Sequence, residues 1–554
     1  MGSENADVAA VEPHDVSPVL QDSPKLEAVA WLDQEEARIV RHLLAVRAIR
    51  NTLAPAINCL PDEVVACIMM FYKEGYGGWP ALGWQKITHV CRWWRGVALQ
   101  TASLWSHINI SNVERTRAHL SRSRGAPLDI YVSSPCIPCP AEAVVDLLIP
   151  HSRRIANFDV SVAASSAHAF ARLLLHPLPM LHRFRFTNGL APSPIPLRLT
   201  LNIGEGQSQF QDLELCMAYI PWESPAFQGL RTLKLLAQIG DDATPSMNRF
   251  LDILECSPQL EVLSLVYAGP VMPIAGYPEP MRKIRLASLR DLNLTIHALD
   301  AADLLTHLQI PKTTKIEISC HLEELNQDFS TLFPPDLNGL ELLASVHEIA
   351  IECSKDCSKF GLRALRFQDG RAEQNLHVKY KAKEDSGPQW GLTAPDFLRT
   401  AAFIFARSPV TRLNAILYSE TISMDDWQYL FAQLPGLTHT GLGIGLGEDG
   451  TFIDYGLLTV LGGDPGTESV PCPKLTCLEI YHTCFDNAYN DELEQCLRSR
   501  AEKGAARLSK LKLSMMRWTG DGEVQWPDVQ ELVDVFEHNM EGEDEGDWTF
   551  TNVQ

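Results

Sequence analysis

Between residues 125 and 535 one short apolar pattern keeps returning: an apolar residue, a second three positions later, and a third two after that. It reads Ile155-x-x-Phe158-x-Val160, Leu181-x-x-Phe184-x-Phe186, Phe210-x-x-Leu213-x-Leu215 and Leu230-x-x-Leu233-x-Leu235. It continues as Leu260-x-x-Leu263-x-Leu265 and Leu289-x-x-Leu292-x-Leu294, less cleanly at Ile316/Ile318, Val346-x-x-Ile349-x-Ile351 and Leu362-x-x-Leu365-x-Phe367. Later copies are Val410-x-x-Leu413, Leu437-x-x-Thr440-x-Leu442, Leu475-x-x-Leu478-x-Ile480 and Leu508-x-x-Leu511-x-Leu513. Alternate apolar residues predict strands with one buried face. Many starts lie 24 to 33 residues apart, and stretches between them (Met247–Cys256, Ala301–Leu308, Phe397–Ala406) have the apolar spacing of short helices.

A strand, a helix and another strand at this spacing predict an α/β chain built as an irregular leucine-rich-repeat-like solenoid over residues 125–535. No single strand–helix unit buries both its faces, but stacked units share one continuous core. A doubly wound sheet is the competing architecture. In a standard leucine-rich repeat an Asn or Cys stands three residues beyond the last Leu and satisfies backbone groups in the turn. Here those positions hold Gln238, Ala268, His297 and Thr483, so that ladder is missing. From Ser345 to Lys383 three strands (Val346–Ile351, Leu362–Phe367, Leu376–Lys381) follow one another without a helix, which predicts an insertion.

Ahead of the repeats the pattern changes. Residues 1–25 are polar and aperiodic and predict a disordered leader. Residues 26–57 predict a helix in which Leu32, Ile39, Val46 and Leu53 recur every seven positions, beside Val29, Glu36, Leu43 and Arg50. With half of the second set charged, this predicts a helix docked on the next domain rather than a stable coiled coil. Residues 58–110 follow as a compact aromatic block carrying five of the twelve tryptophans between Trp79 and Trp105. Leu60-Pro61-Asp62-Glu63 is a helix start, with Pro near the first position and two acids for the helix dipole. Val64, Val65, Ile68, Phe71 and Tyr72 predict its apolar face. After a Gly/Pro loop, a second helix is expected from about Trp84, with Ile87, Val90, Cys91, Trp94, Val97 and Ala98 on one stripe. Thr101 or Ser103 can cap a final turn bearing Leu104 and Trp105.

This block resembles an F-box of the form common in mushroom-type fungal proteins: a Leu-Pro-x-Glu start, a Val-Cys-x-x-Trp-Arg core and a Leu-Trp close. Leu60, Pro61, Glu63, Ile68, Val90, Cys91, Trp94, Arg95, Ala98, Leu104 and Trp105 carry the match. The loop from Tyr72 to Gly83 departs from it, being longer and richer in Gly and aromatic residues. The resemblance implies docking on a Skp-type adaptor and, through it, a cullin–RING ubiquitin ligase. Leu60, Pro61, Ile68, Val90, Cys91 and Trp94 would be the adaptor-contacting or interface-supporting residues, and the solenoid would hold a target protein. The competing view is that these residues are simply the core of a small helical domain.

Composition narrows the rest. Lys and Arg total 47 against 69 Asp and Glu, a net charge of −22 over 554 residues. Such a surface repels phosphates, so nucleic acid and anionic membranes are disfavoured partners. No apolar run reaches 18 residues, and the start has no basic region before an apolar one, which predicts a soluble cytoplasmic or nuclear protein. The 14 cysteines are too sparse for a disulfide scaffold and are expected as buried thiols. Cys136/Cys139, Cys353/Cys357, and Cys472, Cys477 and Cys484 with His482 are incomplete zinc sets. Gly445-x-Gly447-x-x-Gly450 formally matches a dinucleotide loop, but Glu448 and Asp449 would repel a pyrophosphate. No cofactor, metal or catalytic residue is therefore expected. The alternatives to a ligase subunit are an interaction scaffold without ligase coupling and, more remotely, a nucleotide-binding enzyme. Asp425-Asp426 and Glu323-Glu324 are expected as solvated charges, and residues 536–554 as an acidic tail. Trp222, Trp427 and Trp518 are candidate exposed anchors for a partner, with core or loop packing as the competing reading.

Overall fold

The computed structural model describes residues 25–53, 57, 60–75, 82–110, 112–133, 140–189, 196–204, 209–238, 240, 242–270, 282–322, 329–334, 336–354, 359–368, 371–382, 393–417, 422–444, 455–463, 466, 469–481, 484–518 and 527–540. The chain is mixed α/β and divides into two compact units, one up to Asp129 and one from Ile130 onward. No helix among the described residues is long and apolar enough to cross a membrane.

The first unit is helical. A long helix α1 (Lys25–Leu53) precedes α2 (Asp62–Gly75), a 3-10 segment (Leu82–His89), α3 (Arg92–Gln100), a short 3-10 turn (Ala102–Trp105) and α4 (Val113–Arg122). Asp62 and Glu63 lie in the first turn of α2, and the Pro61 carbonyl accepts from the N–H groups of Val64 and Val65. The expected second helix is split. The chain is extended at Cys91 (φ −156°), whose Sγ accepts from the Trp94 N–H at 3.5 Å, so α3 starts anew there. Thr101 stands at the cap position of the last turn, but its hydroxyl donates back to the Val97 carbonyl at 2.8 Å. Val65, Met69, Trp84, Trp94, Val97, Ala98, Leu104 and Trp105 form the core. Trp84 meets Trp105 edge-on at 5.3 Å, and the Trp105 indole N–H donates to the Ala98 carbonyl at 2.7 Å. None of the described side chains of α1 is buried.

The second unit holds a large, mostly parallel sheet. Strands β1 (Ile155–Ala163), β2 (Arg183–Gly189), β3 (Asp212–Cys216), β4 (Thr232–Leu236), β5 (Val262–Val266), β6 (Asp291–Thr295) and β7 (Lys315–Leu322) pair in parallel, each with the next. The register aligns the recurring apolar positions: Phe158, Phe184, Leu213, Leu233, Leu263, Leu292 and Ile316 form one row. Val160, Phe186, Leu215, Leu235, Leu265, Leu294 and Ile318 form a second. Every residue in both rows is buried.

The helix-free segment enters the sheet as β8 (Glu348–Cys353), β9 (Lys359–Gln368) and β10 (Arg371–Ala382). β9 lies antiparallel between β8 and β10; β10 joins β7 and β8 joins β11 (Arg412–Leu417), both in parallel. Parallel pairing then resumes through β12 (His439–Ile444), β13 (Cys477–Tyr481), β14 (Lys510–Trp518) and β15 (Phe536–Met540). The last of these corrects the expected tail, because 536–540 belongs to the sheet; Glu541–Asp547 lies outside the described residues.

The turns after the strands explain how the sheet does without its Asn ladder. Met217, Ala237 and Tyr267, each two residues past the last apolar position of a repeat, take positive φ of 53°, 52° and 49°. Their N–H groups donate to the carbonyls of Leu236, Val266 and Thr295 on the next strand. Asn188 donates to the Met217 carbonyl at 3.3 Å and Gln238 to that of Ala218 at 2.8 Å. Backbone groups thus close the turn, and polar side chains add single rungs. Ala268 is buried in place of a polar side chain and His297 is the N-cap residue of the helix starting at Ala298, its side chain making no capping bond, while Thr483 lies outside the described residues.

Helices lie between some of the strands: α5 (Ala141–Leu148), α6 (Ala164–Leu173), α7 (Met247–Glu255), α8 (Ala298–Thr306), α9 (Ala394–Phe405), α10 (Met424–Gln433), α11 (Tyr455–Gly462) and α12 (Asn487–Glu502). From α9 to α12 each packs against the next. Asp426 is not a solvated charge. It is buried, accepts from the Ser423 N–H at 2.8 Å as a capping box, and pairs with Arg399. Glu323-Glu324 lies outside the described residues.

Arg500 of α12 is also buried. Its guanidinium donates to the carbonyls of Leu461, Pro471 and Cys472 at 2.9 to 3.0 Å, while Lys503 and Ser499 reach the Gly462 carbonyl. The bonds to Leu461 and Gly462 occupy C-terminal carbonyls of α11 that no further helical turn would satisfy, and those to Pro471 and Cys472 tie in the segment leading to β13. Replacing Arg500 with Met is expected to destabilise the second unit by about 2–4 kcal/mol, since it strips three buried carbonyls of their donor. Chemical denaturation followed by circular dichroism checks this; an unchanged midpoint would refute the assignment.

Candidate functional site

The six residues singled out by sequence fall into three groups. Trp94 is core. Leu60, Ile68 and Cys91 are half-buried and pack against that core with one side accessible. Pro61 and Val90 are exposed, Val90 at 61%. Val90 owes its exposure to the break between the 3-10 segment and α3, which turns it off the stripe predicted for it. The starts of α2 and α3 are joined by one specific bond, from the Trp93 indole N–H to Asp62 Oδ1 at 2.8 Å.

The structure adds residues that the sequence reading had placed on the buried face. α2 is apolar on two sides. Val65 and Met69 point into the core, whereas Val64 and Phe71 are exposed, Phe71 at 73%, with Cys67 between them also exposed. Pro61, Val64, Cys67 and Phe71 follow the i, i+3, i+6, i+10 spacing of one helix face. The signal was present: a helix apolar all round requires cover on both sides.

The same unit holds a groove of about 740 Å³, walled by Leu44, Arg47 and Ala48 of α1 and by the stretch from Thr88 to Trp93, with Arg95. Its floor includes Val90, Cys91 and Trp93. Arg47, Arg92 and Arg95 give it positive charge in a chain of net charge −22. An apolar floor with a basic edge fits a protein surface that is apolar at its centre and acidic at its rim.

Two titratable groups of this unit are withdrawn from solvent, Lys73 half-buried and His119 buried. Lys73 donates to the Leu104 carbonyl at 3.1 Å, lies 3.0 Å from His107 Nδ1 and 5.7 Å from the Trp84 ring. Burial depresses its pKa to about 8. His119 packs edge-on against Trp105 at 5.2 Å and lies 3.2 Å from Gln85. Its pKa is depressed to about 4, first by burial and then by the charges of Arg115, Arg122 and Lys73.

In the second unit Trp222 and Trp427 are buried rather than exposed: Trp222 stacks on Phe227 at 5.0 Å and Trp427 on Phe431 at 6.1 Å. Trp518 lies outside the residues whose side chains are described. Among the described residues no group of three or more His, Cys, Asp or Glu is placed to hold a metal. Cys353, Cys472 and Cys477 are buried, and burial pushes the thiols of Cys320, Cys472 and Cys496 up to about 12, so they are held as neutral thiols. Cys136, Cys139, Cys357, His482 and the loop Gly445–Gly450 lie outside the described residues. No protein-family model matches the chain, and no curated protein matches it in sequence.

His119 makes the first unit sensitive to acid. The unfolded chain binds its proton near pH 6.5, the folded unit only near 4. The stability it supports is therefore complete above pH 6.5 and is lost as pH falls from there toward 4. Urea unfolding of the first unit, read by tryptophan fluorescence at pH 7 and pH 5, is expected to show a smaller loss of stability for His119→Gln than for wild type. Equal losses would remove His119 as the cause.

Proposed function

We propose that this protein is the substrate-recognition subunit of a Skp–cullin–F-box-type ubiquitin ligase. The first unit would hold the Skp-type adaptor, and the second, read as an irregular leucine-rich-repeat-like solenoid, would hold the target protein. Binding both at once raises the effective concentration of target lysines near the ligase, and this requires no catalytic residue of its own.

One observation carries the proposal. The block bearing the Leu-Pro-x-Glu, Val-Cys-x-x-Trp-Arg and Leu-Trp residues folds around a tryptophan core, yet leaves Pro61, Val64, Phe71 and Val90 in solvent. Large apolar residues left exposed on so small a unit are costly unless a partner covers them. Leu60, Ile68 and Cys91 then support that surface from beneath, and Trp94 holds the helix that presents it.

The test is capture by a purified Skp-type adaptor. Wild type is expected to bind, and Phe71→Asp or Val90→Asp to weaken binding by about 2 kcal/mol or more, as for a centrally buried anchor. Both side chains are exposed, so tryptophan fluorescence and thermal unfolding should stay as in wild type. If the folded wild-type protein captures no adaptor, the chain is an interaction scaffold instead.

A further inference from the structure

We infer that α1 is a self-association element that pairs with α1 of a second copy of this chain as an antiparallel coiled coil. The helix runs 29 residues, about 43 Å. Val29, Leu32, Ile39, Leu43, Val46 and Leu53 lie along one seam whose three- and four-residue spacing Glu36 and Arg50 complete, and the six are between 43% and 82% exposed. Leu44, Arg47 and Ala48, which wall the groove of the first unit, occupy other heptad positions, so the seam stays accessible while the groove is formed.

The two charged seam positions decide both occupant and direction. In heptad terms Val29, Glu36, Leu43 and Arg50 are the a residues, and Leu32, Ile39, Val46 and Leu53 the d residues. Parallel pairing in register would bury Glu36 against Glu36 and Arg50 against Arg50 of the second copy. Antiparallel pairing sets each a residue opposite a d residue: Val29 meets Leu53, Leu43 meets Ile39, Glu36 meets Val46 and Arg50 meets Leu32. Glu36 then lies one layer from Arg50 of the second copy, and the two-fold axis makes that ion pair twice. At the flanks Asp33 approaches Arg47 of the second copy on the same rule. The helix is thus complementary in charge to its own reverse. Six seam residues from each copy would remove on the order of 1,000 Å² from water, the lower bound of a specific interface.

Sedimentation velocity of the full chain tests this independently of adaptor binding. Wild type is expected as a dimer at micromolar concentration, and Ile39→Asp/Val46→Asp to raise the dissociation constant at least ~tenfold. Because these side chains are exposed, the far-ultraviolet circular dichroism and thermal unfolding of the rest should not change. Glu36→Arg should weaken the dimer and Glu36→Arg/Arg50→Glu restore it, since the swapped charges still face each other only in the antiparallel arrangement. A wild-type monomer at all concentrations, or a dimer indifferent to the Ile39/Val46 changes, overturns the proposal. Failure of the charge swap to rescue overturns the antiparallel pairing.

Discussion

A strand that carries alternate leucines has nothing to bury them against until the next strand brings its own leucines to the same level. The second unit depends on that constraint. Phe184, Leu213, Leu233, Leu263, Leu292 and Ile316 stand in one row because parallel pairing without register shift is the arrangement that keeps every copy of the motif on the buried face. A slip of one residue at any strand would turn its whole apolar set to the other side. The inserted strand β9 respects the same rule. It reverses direction, takes up a bulge between Ala364 and Leu365, and still returns the chain to parallel pairing on both sides.

The first unit meets the opposite difficulty, with few residues and little core. It answers with large rings. Trp84, Trp94 and Trp105 are the largest side chains of its core, and the Trp105 indole N–H is satisfied by the Ala98 carbonyl. The cost is charge held under the surface. Lys73 and His119 sit against those rings with depressed pKa values, which ties the unit's integrity to pH. The apolar side of α2 that this core cannot reach is what makes a partner surface.

Much of the second unit was legible because its apolar signal is periodic. The strands, the helices between them and the helix-free insertion all follow from spacing that any one copy would leave ambiguous. What escaped was local. Val90 fits the stripe of a continuous helix, and nothing in its spacing announces that the chain extends at Cys91. Val64 and Phe71 read as core because apolar spacing does not tell a face covered by its own chain from one left bare. Asp426 read as a solvated charge, since its burial and its pairing with Arg399, 27 residues earlier, come from packing, although its capping partner Ser423 stands three residues before it. Trp222 and Trp427, candidates for exposure by type, became core because helices brought Phe227 and Phe431 beside them.

By itself, then, the sequence determined which positions must share a face: the leucines of each strand, the tryptophans of the aromatic block, the seven-residue seam of α1. These are short-range consequences of backbone period and hydrophobicity. Tertiary structure decided which of those faces found cover within the chain. The rows of the sheet did, as did the tryptophans, whereas the outer side of α2 and the seam of α1 did not. That outcome depends on how many apolar faces compete for how little interior, a sum over the whole fold that no local window contains.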